Sequence, residues 1–382
     1  MQTCNDDEMF DDCECDFPVG AATTSGSGAG ASSTGAGASS GSGAGGGGGG
    51  GTGGASGVTL SAGDEVLVDV FVGDAGIYLV FVDEVRLVDS AGGVLATWPS
   101  ERDITAAAFD GMHLGVADTA VLNMFEADLT PTVSSNLVQT CASAVLVSGP
   151  RFICGPENDW DRIFHTFDAL TGDYLASSQE YTYNGIPMRR IPGTDEFVTV
   201  TTNLSPSDYH LYATLPNGEA TYINESPYHG DFPVTDVYGF EGFPATHLIT
   251  HTGLRLLIHG TDCAVGSSFG SECFIQDGVL GTLSGNQRFI GMESDHDGHL
   301  VYGLVDLGSS SYNSQCESGC IAQKIDIAQK VVLAQVTFTD QPGAVIATRH
   351  VPGGDAMVVG CNLPAESFSD PPPGHRVALI AF

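Results

Sequence analysis

The stretch RRIPGTDEFVTVTTN, Arg189 to Asn203, returns near the C-terminus as RHVPGGDAMVVGCN, Arg349 to Asn362. Each copy is an apolar strand-like run, a tight turn, a second apolar run and a closing Asp or Asn. The same phrase occurs five more times: VFVGDAGIYLVFVD to Asp83, AAFDGMHLGVAD to Asp118, AVLVSGPRFICGPEN to Asn158, HLITHTGLRLLIHGTD to Asp262 and GMESDHDGHLVYGLVD to Asp306. Its turns fall near Gly73, Asp110, Gly149, Gly193, Thr252, Asp297 and Gly353, at spacings of 37, 39, 44, 59, 45 and 56 residues. Gly and Asp suit such turns, because Gly reaches positive φ without strain and Asp bonds its own backbone. A hairpin repeated in this way cannot bury its apolar faces alone. It must stack on the next copy, so the chain is a repeat array whose core lies between units.

A second hairpin follows most copies, as in VRLVDSAGGVLATW, IFHTFDALTGDYLASS and HLYATLPNGEATYI, with CFIQDGVLGTLS and IAQKIDIAQKVVLAQV continuing the series. No window has a long helical period, so the reading is all-β. Four strands per roughly 40–50 residues is the blade of a β-propeller, and seven hairpins imply seven blades. The last blade is one strand short, since HRVALIAF runs to the end of the sequence. An open ring would leave bare strand edges, so GVTLSAG, Gly57 to Gly63, is expected to close it. Val58 to Ser61 would then pair beside VALIAF, with Val58 and Leu60 both covered. In this architecture residues 58–382 resemble bacterial extracytoplasmic seven-bladed propellers, the broad set of YVTN-type, quinoprotein-like and WD-repeat rings. Trp160-Asp161 is the single Trp-Asp pair, and Trp98 and Trp160 are the only tryptophans, so no catalytic residue carries over from the resemblance.

Two segments precede the propeller. Residues 1–19 hold seven acids among the first sixteen and show no period, which reads as a disordered acidic, Cys-containing segment. Residues 20–57 are 38 positions of Gly, Ala, Ser and Thr only, a flexible tether with an r.m.s. reach of roughly 34 Å. Within it GASSG matches a hydrolase elbow by composition alone, without the strand and helix that elbow needs. The net charge of −35, with only Lys324 and Lys330 as lysines, makes phosphate backbones and anionic membrane surfaces poor partners.

Ten cysteines in a loop-rich β protein point to an oxidising compartment. Cys141 with Cys154, Cys263 with Cys273 and Cys316 with Cys320 read as local disulfides. A Cys4 zinc site formed by the last two pairs is the competing reading, although its spacing departs from zinc ribbons. Cys361 ends a strand, as a buried free thiol or a weakly paired one. MQTC, followed by acids and a Gly/Ser/Ala tether, resembles the mature start of a bacterial lipoprotein, which assigns Cys4 as the lipid anchor. The expected location is extracytoplasmic, either lipid-anchored in the cell envelope or periplasmic or secreted.

Candidate sites are few. The Asx residues closing the hairpins, among them Asp83, Asp118, Asp262 and Asp306, would ring one face and suit calcium, a hard ion wanting oxygen ligands; Asx residues also start turns for purely local reasons. Asp295 and Asp297 in SDHDGH resemble a metal cluster but stand at a hairpin turn. No cofactor is required, calcium being the one cation these oxygens would suit. The functional expectation is a tethered binding or scaffold module, a monomer with a protein or glycan partner and membrane contact only through a lipid anchor. The alternative is a propeller enzyme, a lactonase-like hydrolase or quinoprotein, with its site at the central channel.

Overall fold

Short apolar runs punctuated by Gly, Pro and Asp become strands throughout. The computed structural model describes residues 57–382 except 148, 157–162, 180–187, 191–195, 201–208, 226–233, 240–244, 251–252, 259–274, 281–287, 295–299, 307–319, 327–328, 330, 339–343 and 366–369. These residues belong to the unit Thr52–Phe382. After β1 (Val58–Gly63) the first sheet is β2 (Leu67–Gly73), β3 (Gly76–Phe81), β4 (Glu84–Val88) and β5 (Val94–Pro99). The second is β6 (Ile104–Phe109), β7 (His113–Asp118), β8 (Val121–Glu126) and β9 (Pro131–Asn136). The third is β10 (Cys141–Val147), β11 (Arg151–Pro156), β12 (Ile163–Asp168) and β13 (Tyr174–Gln179). The fourth is β14 (Met188–Arg190), β15 (Glu196–Val200), β16 (Tyr209–Thr214) and β17 (Ala220–Glu225). The fifth is β18 (Val234–Gly239), β19 (Ala245–Thr250), β20 (Gly253–Ile258) and β21 (Ile275–Leu280). The sixth is β22 (Arg288–Ser294), β23 (Leu300–Asp306), β24 (Cys320–Asp326) and β25 (Val331–Phe338). The seventh joins β26 (Ala344–His350), β27 (Ala356–Asn362) and β28 (His375–Ala381) to β1 as its fourth strand. Among the described residues, all strand pairing is antiparallel and there is no helix. The first strands are neighbours in chain order, β2 against β6 and onward to β26, and β26 meets β2.

The core lies between sheets, because strand alternation sends successive side chains to opposite faces. In GIYLVF, Ile77, Leu79 and Phe81 pack with Val358 and Val377 of the seventh sheet, while Tyr78 and Val80 pack with Leu114, Val116 and Phe125 of the second. Both faces are buried, which is why the run is continuously apolar. Gly115 of β7 makes room for a knob from the next sheet: a Cβ there would lie 2.5 Å from the ring of Phe152.

The turns between third and fourth strands make a second kind of contact. Gly92, Gly172 and Gly218 have φ of +84°, +76° and +88°, and each presses on the fourth strand of the preceding sheet. Their neighbours there are Leu60, Val133 and Leu175, at distances that leave no space for a side chain. In the second sheet the corresponding residue is Leu129, the only described non-glycine with positive φ, at 64°. Its side chain is buried with Phe71 and Phe125, against Trp98.

β1 pairs with β28 from Val58 opposite Leu379 to Gly63 opposite His375, with an irregularity at Leu60. Leu60 is buried, but Val58 is 52% exposed, so only one of the two expected apolar covers is made. His375 fixes the junction: one ring nitrogen lies 2.9 Å from Ser61 Oγ of β1 and the other 2.9 Å from the Glu65 carbonyl. Arg86 bonds the Glu65 carboxylate and holds its pKa below the ordinary range.

The fifth sheet corrects the expected hairpin order. HLITHTGLRLLIHGTD forms β19 and β20, the second and third strands, rather than the first and second. The first strand is β18, from VTDVYG, which the hairpin pattern passed over. CFIQDGVLGTLS supplies one described strand, β21, in place of a hairpin. Antiparallel hairpins of strands one–two and two–three look alike in sequence, so a missed first strand shifts the count by one.

Candidate functional site

Six first strands carry a bulge at the same register. Val68, Thr105, Ala142, Thr235, Ile290 and Ile346 each sit between two paired positions without a partner opposite. A bulge twists the strand and re-aims the residues beside it. On β2, β6 and β10 those residues, Val68–Asp69, Thr105–Ala106 and Ala142–Ser143, line one recess together with Ala107, Ala144 and the β14 residues Met188 and Arg189. Its volume is about 240 Å³. The recess exists because two adjacent strands are built from small residues, Ala106–Ala108 and Ala142–Ala144.

Its polar groups are ordered by strand. Asp69 stands on β2 at one end, Thr105 and Ser143 on the strands between, and Arg189 on β14 at the other. Asp69 accepts a hydrogen bond from Arg349 Nη2 of β26 at 2.8 Å, and the Val70 amide bonds the same Oδ1 at 2.7 Å. Arg349 is only 7% exposed and lies 5.3 Å from the Phe71 ring centroid. A buried guanidinium of this kind needs its carboxylate partner, which fixes Asp69 in place. Glu293 of β22 accepts the His350 amide at 2.5 Å. Burial pushes its carboxyl above the ordinary range, against the pull of Arg349, of that amide and of Arg189. Thr105 Oγ1 donates to the Ala117 carbonyl at 3.4 Å, Ser143 Oγ lies against Gly155, and Arg189 Nη1 donates to the Met188 carbonyl at 3.2 Å.

The candidates read from the sequence lie elsewhere or fall outside the described residues. Asp118 is buried and caps its own turn, accepting the Ala120 and Val121 amides at 2.7 and 2.6 Å. Asp306 is fully buried at the end of β23, and Asn362 exchanges two hydrogen bonds with the Leu67 backbone of the next sheet, at 2.8 and 2.9 Å. Asp83 occupies the β3–β4 turn, where its carbonyl accepts the Ser100 amide. Asp118 falls opposite the first-strand residue before the bulge, while Asp306 and Asn362 fall one position further along. A shift of one turns a side chain to the other face of its sheet, so Asp118 faces the opposite way from Asp306 and Asn362. Among the described residues no three His, Cys, Asp or Glu groups are disposed to hold a metal ion. Asp262, Asp295, Asp297, Cys4, Cys263, Cys273 and Cys316 are outside the described residues.

Cys141 and Cys154 form a disulfide between β10 and β11, with Cα atoms 5.2 Å apart. Cys320 is also disulfide-bonded. Cys361 is a free, buried thiol whose pKa burial pushes up to about 12. The recess itself went unnoticed in the sequence, although TAAAF and CASAV, two alanine-rich runs in successive first strands, are its signature.

No protein-family model and no curated protein matches the chain. Solved structures do. The hydrazine synthase of Kuenenia stuttgartiensis is similar over 83% of this chain and 95% of its own, with a TM-score of 0.57 and 11% identity. The β-propeller domain of Cps50 (Swd1) from Myceliophteria thermophila is similar over 85% and 99%, with a TM-score of 0.58 and 10% identity. At such identity the likeness speaks for the fold alone: these sheets make a β-propeller.

Proposed function

We propose that the chain is a seven-bladed propeller, closed by β1, that works outside the cytoplasm as a binding module, with a small ligand held in the channel recess. Seven four-stranded sheets with β26 against β2 support the ring, and β1 beside β28 supports its closure. The Cys141–Cys154 disulfide and the disulfide-bonded Cys320 support an oxidising location. The observation that carries the binding reading is the recess, a concave site lined by small side chains on rigid strands. Its Asp69 is committed to a buried ion pair rather than poised as a base.

The test is a thermal-shift panel of small anions, cations, zwitterions and neutral polyols on the full chain and on Ala142→Leu, which fills the recess. Stabilisation of the wild type that the filled variant loses is expected. A panel without any stabilising compound, or stabilisation equal in both proteins, overturns the reading. Turnover of lactone or ester substrates abolished by the same substitution would instead establish the enzyme alternative.

A further inference from the structure

We propose that Ser61, His375 and Glu65 form a nucleophilic site that hydrolyses short, uncharged carboxylic esters. It lies at the junction of β1 and β28, the outer strands of the seventh sheet, whereas the recess is lined by first strands. Ser61 Oγ stands 2.9 Å from His375 Nε2. His375 Nδ1 stands 2.9 Å from the Glu65 carbonyl and 3.6 Å from the Glu65 carboxylate. A carbonyl only accepts, so Nδ1 carries the ring proton and Nε2 is left bare to take the proton of the Ser61 hydroxyl. Acyl transfer needs this order: a nucleophile, a base, and a third group that orients the base. A bond that served only to hold β1 would work equally with Nε2 as the donor.

The surroundings fit the role. His375 is 1% exposed and its ring packs 4.6 Å from that of Phe81, which holds the imidazole in one orientation. Ser61 is half-buried, on a strand with a ladder neighbour on one side only. The other edge of such a strand presents unpaired backbone amides, the kind of donor that steadies a tetrahedral oxyanion. Gly63 leaves room for the carboxylate: a Cβ there would collide with it and come within 3.2 Å of His375 Cε1. Arg86 is shared between Glu65 and Glu84 and has no charge to spare for an anionic substrate. With Asp64 exposed beside them, the site favours an uncharged ester. At this outer edge a long acyl chain would lie in water, so the acyl group is short.

In the reaction Ser61 Oγ attacks the acyl carbon while its proton passes to His375 Nε2, and the alkoxide leaves with that proton as an alcohol. Water then attacks the acyl-serine and gives a proton to Nε2, which returns it to Ser61 Oγ as the carboxylic acid departs. Glu65 touches no substrate; it is a positioning residue that also stabilises the imidazolium.

The experiment is hydrolysis of p-nitrophenyl acetate by the full chain, with a fluorophosphonate as trapping reagent and mass mapping of its adduct. One phosphonyl group should appear on Ser61, and turnover should fall in step with it. Ser61→Ala, checked for folding by circular dichroism, should lose at least about 100-fold in kcat/KM. Glu65→Gln should lower kcat with little change in KM, and Glu65→Asp should recover part of it; a KM change alone would leave Glu65 without its assigned role. Absence of an adduct on Ser61, or turnover indifferent to Ser61→Ala, overturns the proposal. Turnover that Ala142→Leu abolishes and Ser61→Ala retains would place the chemistry in the recess instead. If Ser61→Ala does not fold, the adduct on the wild-type chain decides alone.

Discussion

Removing β1 should cost much of the stability of the propeller. Deleting residues 1–63 strips the fourth strand from β28, which loses five paired positions. The ladder hydrogen bonds among them are worth roughly 2–6 kcal/mol in total, at about 0.5–1.5 kcal/mol each. Leu60, 5% exposed, adds roughly 1.5–3 kcal/mol of lost burial. The Ser61 contact to His375 adds about 1 kcal/mol. Val58, more than half exposed, adds little. Together these terms rival a whole domain's stability of about 5–15 kcal/mol. Deletion of residues 1–56 leaves β1 intact and serves as the control. Denaturant melts followed by far-UV circular dichroism should show the control near the wild type and the longer truncation unfolding far earlier or aggregating through its bare edge. A synthetic peptide of Gly57 to Gly63 should partly restore the midpoint. If the two truncations melt alike, β1 does not close the ring.

Four further outcomes follow from particular contacts. Leu129→Gly and Leu129→Ala should both destabilise by about 2–4 kcal/mol through lost burial. Alanine should be the worse by about 1 kcal/mol because it keeps the left-handed strain; equal losses would refute that strain. Gly115→Ala should cost about 1–3 kcal/mol by overpacking against Phe152, and Phe152→Leu on the same chain should recover part of it. Burial raises the Tyr78 pKa to about 12. The unfolded chain therefore loses this proton first, near pH 10, and stability should fall between about pH 10 and 12, by up to about 2.7 kcal/mol. Tyr78→Phe should flatten that alkaline limb, and an unchanged limb would refute the assignment. Because the Asp118 carboxylate already serves two amides, calcium or a chelator should move the melting temperature by less than about 1 °C; a larger rise with calcium would show a cation site.

The hairpins were legible because each is local: a turn, two apolar runs and a few intervening residues carry the signal. The pairing of GVTLSAG with HRVALIAF was legible for a different reason, as the short strand left over when HRVALIAF lacked a partner. What escaped were features set by two strands distant in sequence. Small residues at Ala106–Ala108 and Ala142–Ala144 say nothing until β6 and β10 lie side by side. The ion pair of Asp69 with Arg349 spans 280 positions of sequence, and no spacing announces it. The Asx positions are regular in sequence but not in register. Their regular place after each hairpin suggested a ring, but the strand register moves Asp118 by one residue from Asp306 and Asn362.

The pairing of β1 with β28 also sets a timetable. Ser61 and His375, bonded to each other, are 314 residues apart. As the chain is made from its N-terminus, β1 is the first strand of the propeller to appear and among the last to find its place. At about 5–20 residues per second, more than a quarter of a minute separates the two strands. Throughout that interval the apolar side of Leu60 has no cover and Gly92 has no strand to press against. The first six sheets can be built strand by strand behind the ribosome, but the seventh waits for the other end of the chain. Folding of this protein should therefore finish in one late, slow step of high contact order.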